Sequence, residues 1–167
     1  MSKKLLTWLS LVLTLLLVAG LAVWCAQREN CDVGQDGSRA REYRMCTDKK
    51  RYRFGETVHV SFMITNISDH PLEFGNGSGP AMDICDTWYY ACWSSDRKLT
   101  DEQKHFVLQP GESRILEWAW SPSQDAVERI ATWPGGGSVP INLRGCEMSW
   151  KGNTYRGSYI YFWYGRP

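Results

Sequence analysis

Residues 52–68, YRFGETVHVSFMITNIS, decide the fold of this chain. Between positions 57 and 65 successive residues point to opposite faces, and one face is wholly apolar, which is the two-residue period of a half-buried strand. That face consists of Val58, Val60, Phe62 and Ile64. Such a strand needs an antiparallel partner and a second layer over its apolar side, because an isolated ribbon is marginal in water. The stretch therefore predicts a sandwich.

Segments with the same short period occur on both sides of this strand. We expect further strands over residues 41–47, 72–74, 81–86, 89–94, 106–108, 113–120, 127–133, 139–143 and 154–164. Turn signals separate them, including Gly55-Glu56 and Gly111-Glu112, and the polar residues 95–104 can include one helical turn. This series of short strands with regular turns predicts an all-β, antiparallel β-sandwich over residues 41–167.

The N-terminus has a different composition. Residues 5–24 carry no charge and, at about 1.5 Å of rise per residue, are long enough as a helix to cross a hydrocarbon core of about 30 Å. We therefore expect residues 1–24 to be a transmembrane signal anchor or a cleaved signal helix, followed by a polar linker over residues 25–40. Lys3 and Lys4 favour the cytoplasmic side, which places the domain outside the membrane.

Export sets the expected location and modifications. The domain is membrane-anchored and extracytoplasmic, or secreted if the N-terminal segment is cleaved; Trp24 disfavours cleavage. In a eukaryotic secretory pathway, Asn66-Ile-Ser68 and Asn76-Gly-Ser78 would be glycosylation acceptors.

Charge and aromatic content narrow the class of partner. The chain has 19 basic and 18 acidic residues, so the exported part is close to neutral and no basic stripe predicts nucleic-acid binding. Nine tryptophans and eight tyrosines are many for 167 residues, and some must be partly exposed.

Five cysteines follow the N-terminal segment at Cys31, Cys46, Cys85, Cys92 and Cys146. In an oxidising compartment they favour disulfides. Cys85 and Cys92 can close a short hairpin around DTWYYA, and Cys31 can bond Cys46, unless Cys146 takes one of these partners. A zinc site is disfavoured, because no pair has a C-x-x-C type of spacing and no histidine is near in sequence.

Four motifs follow one another over residues 47–122. They are Tyr52-Arg-Phe-Gly-Glu56 before Ile64-Thr-Asn-Ile-Ser68, Ser78-Gly79 with Asp83, Trp93-Ser94 with Asp96, and Leu108-Gln-Pro-Gly-Glu112 before Trp118 and Trp120. In order and spacing they resemble the BsuPI family, named for an intracellular proteinase inhibitor. The resemblance implies an immunoglobulin-like β-sandwich and, for the namesake, inhibition of a serine proteinase. The export segment and the two hairpin cysteines depart from the family pattern.

The sequence gives no sign of catalysis. His59, His70 and His105 are expected at the surface, and no nucleophile elbow or H-E-x-x-H pattern is present. No Gly-rich phosphate loop precedes a helix, so no catalytic, cofactor or metal site is expected.

Aromatic residues are the candidates for binding. If Cys85 and Cys92 are bonded, Trp88, Tyr89 and Tyr90 stand at a pre-organised tip, or else fold back over the core. The run 159–164 is apolar on both faces, as in a strand covered twice or one that exposes an aromatic patch. We therefore expect a non-catalytic interaction module resembling a BsuPI-type inhibitor, with a protein such as a serine proteinase as partner. The alternative is a module that binds carbohydrate or the cell envelope through exposed aromatics.

Overall fold

The computed structural model describes residues 29–86, 91–122, 128, 138–147 and 157–165. Within these ranges the chain is mostly β-structure, with ten strands and one short helix. In chain order the elements are β1 (Asn30–Gln35), β2 (Arg41–Thr47), β3 (Arg51–Arg53), β4 (Val58–Asn66), β5 (Leu72–Phe74), β6 (Met82–Asp86), α1 (Asp101–Lys104), β7 (Phe106–Leu108), β8 (Ser113–Trp120), β9 (Ser138–Glu147) and β10 (Tyr159–Gly165). The predicted all-β class is confirmed, and α1 is the expected helical turn.

Strand β4 lies at the centre of the first sheet, whose order is β1-β2-β4-β8. All three strand pairs in this sheet are antiparallel. Along β4 buried and less buried residues alternate, and Val58, Val60, Phe62 and Ile64 are at most 2% exposed. The strand thus buries the four residues that its sequence predicts. Its ends, at Val58 and Asn66, each lie one residue after the predicted ends.

Two turns of the same design lead into β4 and β8. Residues 53–56 and 109–112 each place a glycine third, Gly55 with φ +85° and Gly111 with φ +80°, as a type II turn requires. In each turn the amide of the final glutamate donates to the carbonyl of the first residue, at 3.1 and 3.0 Å. The glutamate carboxylate then accepts from the amide of that first residue, at 3.1 and 2.7 Å. The repeated x-Gly-Glu signal is therefore a turn closed by its own side chain.

The second sheet has the order β3-β10-β9-β6. Its β10–β9 and β9–β6 pairs are antiparallel, whereas β3 runs parallel to β10. A separate ribbon of β5 and β7 adds Phe74 and Phe106 to the core, with ring centroids 4.9 Å apart. Arg114 of β8 lies over the Phe106 ring at 4.6 Å, so the ribbon packs against the first sheet.

The two sheets meet in one core. Trp120, at the end of β8, makes edge-to-face contacts with Phe162 and Tyr164 of β10 at centroid distances of 5.8 and 6.0 Å. All three side chains are at most 2% exposed. Burying a side chain of this size is worth roughly 1.5–3 kcal/mol, and such ring pairs add about 0.5–1.5 kcal/mol. These contacts hold the layers together.

The linker predicted over residues 25–40 is wrong in part, because β1 lies within it. β1 pairs with β2 along its whole length, and Asn30 donates a 2.8 Å hydrogen bond to the carbonyl of Tyr161. Four of the six residues of β1 are exposed. An edge strand with so little buried surface needs no apolar alternation, and its polar sequence therefore looks like a spacer.

The structure contains the disulfides Cys31–Cys46 and Cys85–Cys92. Cys31 and Cys46 are directly opposite each other in the β1–β2 register, so their bond ties the edge strand to β2. Cys146 remains a buried thiol on β9. Burial raises the pKa of Cys146 to about 12, which suppresses the reactive thiolate.

Other predictions differ or fall outside the described ranges. The strand expected over residues 89–94 does not form in its described part, which contains only the isolated bridge from Cys92 to Cys85 and a turn. Of residues 127–133 only Glu128 is described, and it does not lie in a strand. The helix expected over residues 1–24 lies outside the described residues. Among the residues that are described, no helix is both long enough and apolar enough to cross a membrane.

Candidate binding face

The Cys85–Cys92 disulfide closes the loop that carries the first candidate site. The binding residues predicted in that loop are Trp88, Tyr89 and Tyr90, and they lie outside the described residues. Two contacts close the base of the loop. Beside the disulfide, the amide of Asp86 donates to the carbonyl of Ala91 at 2.7 Å, so the two ends of the loop are held together.

A buried carboxylate supports this base from the side. Asp83 is 5% exposed and accepts hydrogen bonds from the hydroxyl and amide of Ser94, at 2.5 and 3.2 Å, and from the amide of Ile84 at 2.9 Å. Burial raises the pKa of Asp83 even though these bonds oppose the effect. Two residues from separate motifs of the BsuPI resemblance are thus in contact. Because the carboxylate is occupied by its own neighbours, its role is structural.

The outer face of the second sheet carries exposed aromatic side chains along β10. Tyr159, Tyr161 and Trp163, which we call the aromatic row, are 39%, 62% and 47% exposed. Alternate residues of a strand are about 6.6 Å apart, so the row is roughly 13 Å long. The residues between them face the core. Of the two possibilities that the sequence left open for this run, the structure has the strand covered on one face and exposed on the other.

Strand β3 places two arginines beside the aromatic row. Arg51 is opposite Trp163 in the β3–β10 register, and Arg53 is opposite Gly165. Both arginines are exposed, whereas Tyr52 between them is 4% exposed. In the described part of the chain neither guanidinium forms an ion pair. Two positive charges are therefore available along this edge of the row.

Strand β9 borders the row on the other side. The register places Arg144 opposite Tyr159 and Asn142 opposite Tyr161. The Arg144 guanidinium lies 5.3 Å from the centroid of the Tyr159 ring, a cation–π arrangement. The row is thus flanked by cationic or amide groups on both neighbouring strands.

An open groove of about 360 Å³ extends this face towards β1. Its lining residues are Asn30, Cys31, Asp32, Tyr159, Ile160 and Tyr161. Asp32 accepts a 2.7 Å hydrogen bond from the Ser158 hydroxyl, and Asn30 is bonded to the backbone of Tyr161. The volume is in the usual range for ligand sites, although the groove is open rather than enclosed.

A second open groove, of about 380 Å³, lies on the first sheet. Asp48 and His59 are among its lining residues. The Asp48 carboxylate accepts from the Tyr52 hydroxyl at 2.6 Å and from the His59 amide at 3.1 Å. These bonds fix the turn between β2 and β3 against β4. The polar residues of this groove therefore stabilise the fold, and we do not assign a ligand to it.

Two clusters in the described ranges have residue types suited to metal binding. They are Glu29, Cys31 and Cys46, and Asp83, Cys85 and Cys92. In each cluster the two cysteines form a disulfide, so neither offers the thiolate that a metal requires.

The arginines beside the row were not identified from the sequence. The segment DKKR at 48–51 looks like a charged turn, and this interpretation conceals the start of β3. The usable signal is the triplet Arg51-Tyr52-Arg53, in which two charged residues flank an aromatic one with the period of a strand.

Comparison with known proteins gives no match. No protein-family model matches the chain, and no curated protein matches its sequence. The resemblance to the BsuPI family therefore remains a prediction.

Proposed function

We propose that this protein is a non-catalytic, extracytoplasmic binding module. In this proposal an immunoglobulin-like sandwich is the scaffold, and residues 5–24 anchor it to a membrane unless they are removed. The disulfides Cys31–Cys46 and Cys85–Cys92 support a location outside the cytosol, because such bonds persist mainly in oxidising compartments.

The ligand class best supported is a carbohydrate, free or in the cell envelope. The observation that carries this proposal is the aromatic row itself: Tyr159, Tyr161 and Trp163 are exposed in line on one paired strand. Flat side chains held on a sheet are suited to stacking against sugar rings, and they lose little conformational entropy on binding. Exposed aromatic side chains in a continuous row also indicate an interaction site more strongly than scattered ones do.

Titration of the full-length chain, in mild detergent, with a panel of soluble polysaccharides tests this function. Binding is followed by isothermal titration calorimetry, because the test variant lacks Trp163 and tryptophan fluorescence would lose its reporter. Combined Tyr161→Ala and Trp163→Ala changes should weaken binding by about tenfold or more, as expected for the loss of two stacking contacts.

The matched control combines Val107→Ala and Ile115→Ala, which removes two exposed apolar side chains elsewhere, at 45% and 58% exposure. This control should bind like the parent protein. Absence of binding across the panel, or an equal loss in both double variants, would reject carbohydrate binding at the row.

A protein partner is a second candidate, favoured by the closed base of the 85–92 loop. The Cys85–Cys92 bond and the hydrogen bonds between Asp83 and Ser94 hold together the two ends of the segment that contains Trp88, Tyr89 and Tyr90, and a closed chain segment loses less entropy on binding than an open one. We expect saturable inhibition of a serine proteinase if the resemblance extends to activity. Replacing residues 87–90 by glycine and serine should abolish inhibition, whereas the same replacement at residues 95–98 should not. No inhibition across trypsin-like, chymotrypsin-like and subtilisin-like enzymes would reject this candidate.

A further inference from the structure

The distribution of charge around the aromatic row is uneven. The whole chain has a formal net charge of +1, yet Arg51, Arg53 and Arg144 all lie on the two strands that flank β10. Arg51 and Arg53 are on alternate positions of β3, so their side chains share the face of the sheet that exposes the row. A near-neutral protein thus has a local cationic border along its aromatic residues.

Two carboxylates beside this border are already bonded. Asp32 accepts from Ser158, and Glu56 pairs with Lys49 at 3.2 Å and accepts from the Arg53 amide at 3.1 Å. The Arg53 amide and Lys49, and to a smaller extent the Arg53 charge, hold the pKa of Glu56 below its ordinary value. In the described part of the chain neither carboxylate is within ion-pair distance of the Arg51 or Arg53 guanidinium, so these two groups can still bind anions of a ligand. Guanidinium groups suit this role, because they bind carboxylate, phosphate and sulfate groups through two parallel hydrogen bonds.

We propose that the ligand of the aromatic row is an acidic polysaccharide, an inference that rests on the proposed function. Tyr161 and Trp163 stack against its sugar rings, while Arg51 and Arg53 pair with its carboxylate, phosphate or sulfate groups. Polymers of other classes share part of this chemistry, since nucleic-acid bases also stack on aromatic rings beside a basic edge. The disulfides indicate an oxidising compartment, which favours a polysaccharide over nucleic acid as the polyanion encountered there.

Three dextrans of equal chain length separate the effect of charge from that of the sugar. Carboxymethyl-dextran, dextran sulfate and unmodified dextran are titrated against the full-length chain in mild detergent. The two acidic polymers should bind at least about tenfold more tightly than dextran, and their advantage should shrink as salt is added. Equal binding of all three polymers would overturn the inference.

Removing the charges of Arg51 and Arg53 tests whether these two residues bind the anionic groups of the ligand. The double variant Arg51→Gln with Arg53→Gln should lose about tenfold in affinity for the acidic dextrans and keep its affinity for dextran. The control Arg39→Gln with Lys98→Gln removes the same charge from exposed positions elsewhere and should change affinity less than about twofold. If the arginine variant keeps full affinity while the Tyr161→Ala and Trp163→Ala variant loses it, the proposed function stands and the acidic preference is wrong.

Two further polyanions decide the ligand class. Poly-L-glutamate and an oligodeoxythymidine, each matched in charge number to carboxymethyl-dextran, present the same charge on a peptide and on a single-stranded nucleic acid. Weaker binding of both supports the inference. Tighter binding of either would assign the row to that class of polymer and overturn it.

Discussion

At the scale of the residue, Asn66 holds two neighbouring loops in place. Its side chain is fully buried, and its Nδ2 donates to the carbonyls of His70 and Leu108 at 2.8 and 2.9 Å. Its Oδ1 accepts from the amide and hydroxyl of Ser68 at 2.9 and 2.7 Å. These bonds satisfy two carbonyls and one amide of the main chain. Since the amide nitrogen is buried and bonded, the sequon at Asn66 is not an acceptor for a glycan in the folded protein.

Asn66→Ala should lower the free energy of unfolding by about 2–4 kcal/mol, because it leaves the buried carbonyl of Leu108 without this donor and removes the bonds to His70 and Ser68. Asn76 is a matched control: its Oδ1 makes the same pair of bonds to Ser78, at 3.1 and 2.6 Å, but it is exposed. Asn76→Ala should cost no more than about 0.5 kcal/mol. Urea unfolding followed by tryptophan fluorescence measures both, and similar losses would contradict this account.

The sequence alone cannot show which distant residues bond each other in the folded chain. A buried group of three charged residues is a second example. Arg41 lies 3.1 Å from Asp36 and 3.4 Å from Glu147, and both carboxylates are nearly inaccessible. Burial acts to raise the pKa of Asp36, but hydrogen bonds that include one from Ser38 outweigh it and hold that pKa below its usual value. Asp36 was predicted to belong to a polar linker. Glu147, the second partner of Arg41, is on a strand of the other sheet, so no local pattern marks the interaction.

At the scale of the element, β9 depends on one residue without a side chain. Gly145 faces the core opposite β4, and an added Cβ would overlap the ring of Phe62. Phe62 is completely buried and stacks on Tyr43 at 6.3 Å between centroids, so it has little room to move. The glycine therefore sets how closely β9 approaches the first sheet.

Gly145→Ala should destabilise the protein by about 1–3 kcal/mol, the usual cost of overpacking a core. Gly34→Ala is the control, since Gly34 is also in a strand but has open space at its Cβ; its effect should be neutral or slightly stabilising. In a Phe62→Leu background the cost of Gly145→Ala should fall by about 1 kcal/mol, because the ring that it meets is gone. A cost that does not depend on Phe62, in a double-mutant cycle of denaturant unfolding, would refute the proposed contact.

Strand prediction succeeded where the strand buries one face. The alternation of β4 and β8 predicted both elements to within one residue, and β2 was predicted with its exact bounds. It failed for β1, whose residues bury little surface, and for residues 91–94, where Trp93 is buried in a turn rather than in a strand. An alternation of apolar and polar residues arises only where a strand buries one face. It therefore does not reveal a strand such as β1, which is held mainly by backbone pairing and a disulfide.

At the scale of the whole molecule, the sequence predicted two layers but not their order. The parallel pairing of β3 with β10 joins segments more than 100 residues apart and has no local signal. That pairing is what brings Arg51 beside Trp163, and so it forms the candidate site. The aromatic run of β10 was recognised as one of two possibilities, because its own residues cannot reveal which face a second sheet covers.

The core also predicts how the whole molecule responds to alkali. Burial raises the pKa of Tyr43, and the nearby charge of Glu147 adds to the effect. Burial likewise raises the pKa of Tyr52, whose hydroxyl donates to Asp48, and it raises that of Cys146. Unfolded phenols and thiols ionise near their ordinary values of 10.0 and 9.0, whereas the folded chain keeps these protons. The contribution of these groups to the free energy of unfolding is therefore fully present below about pH 9 and is lost as the pH rises further.

Above that pH each buried group that stays protonated costs up to about 1.4 kcal/mol of unfolding free energy per pH unit. Tyr43→Phe and Tyr52→Phe keep the rings but remove the ionisable hydroxyls, so the double variant should lose stability less steeply between about pH 9 and pH 11. Urea unfolding across this range measures the slope, in a Cys25→Ser and Cys146→Ala background that prevents exchange of a thiolate with the two disulfides. If the free energy of unfolding falls equally steeply with pH in the Phe variant and in its Tyr parent, the two phenols do not cause the loss of stability in alkali. Phenylalanine has no hydroxyl and cannot release a proton on unfolding.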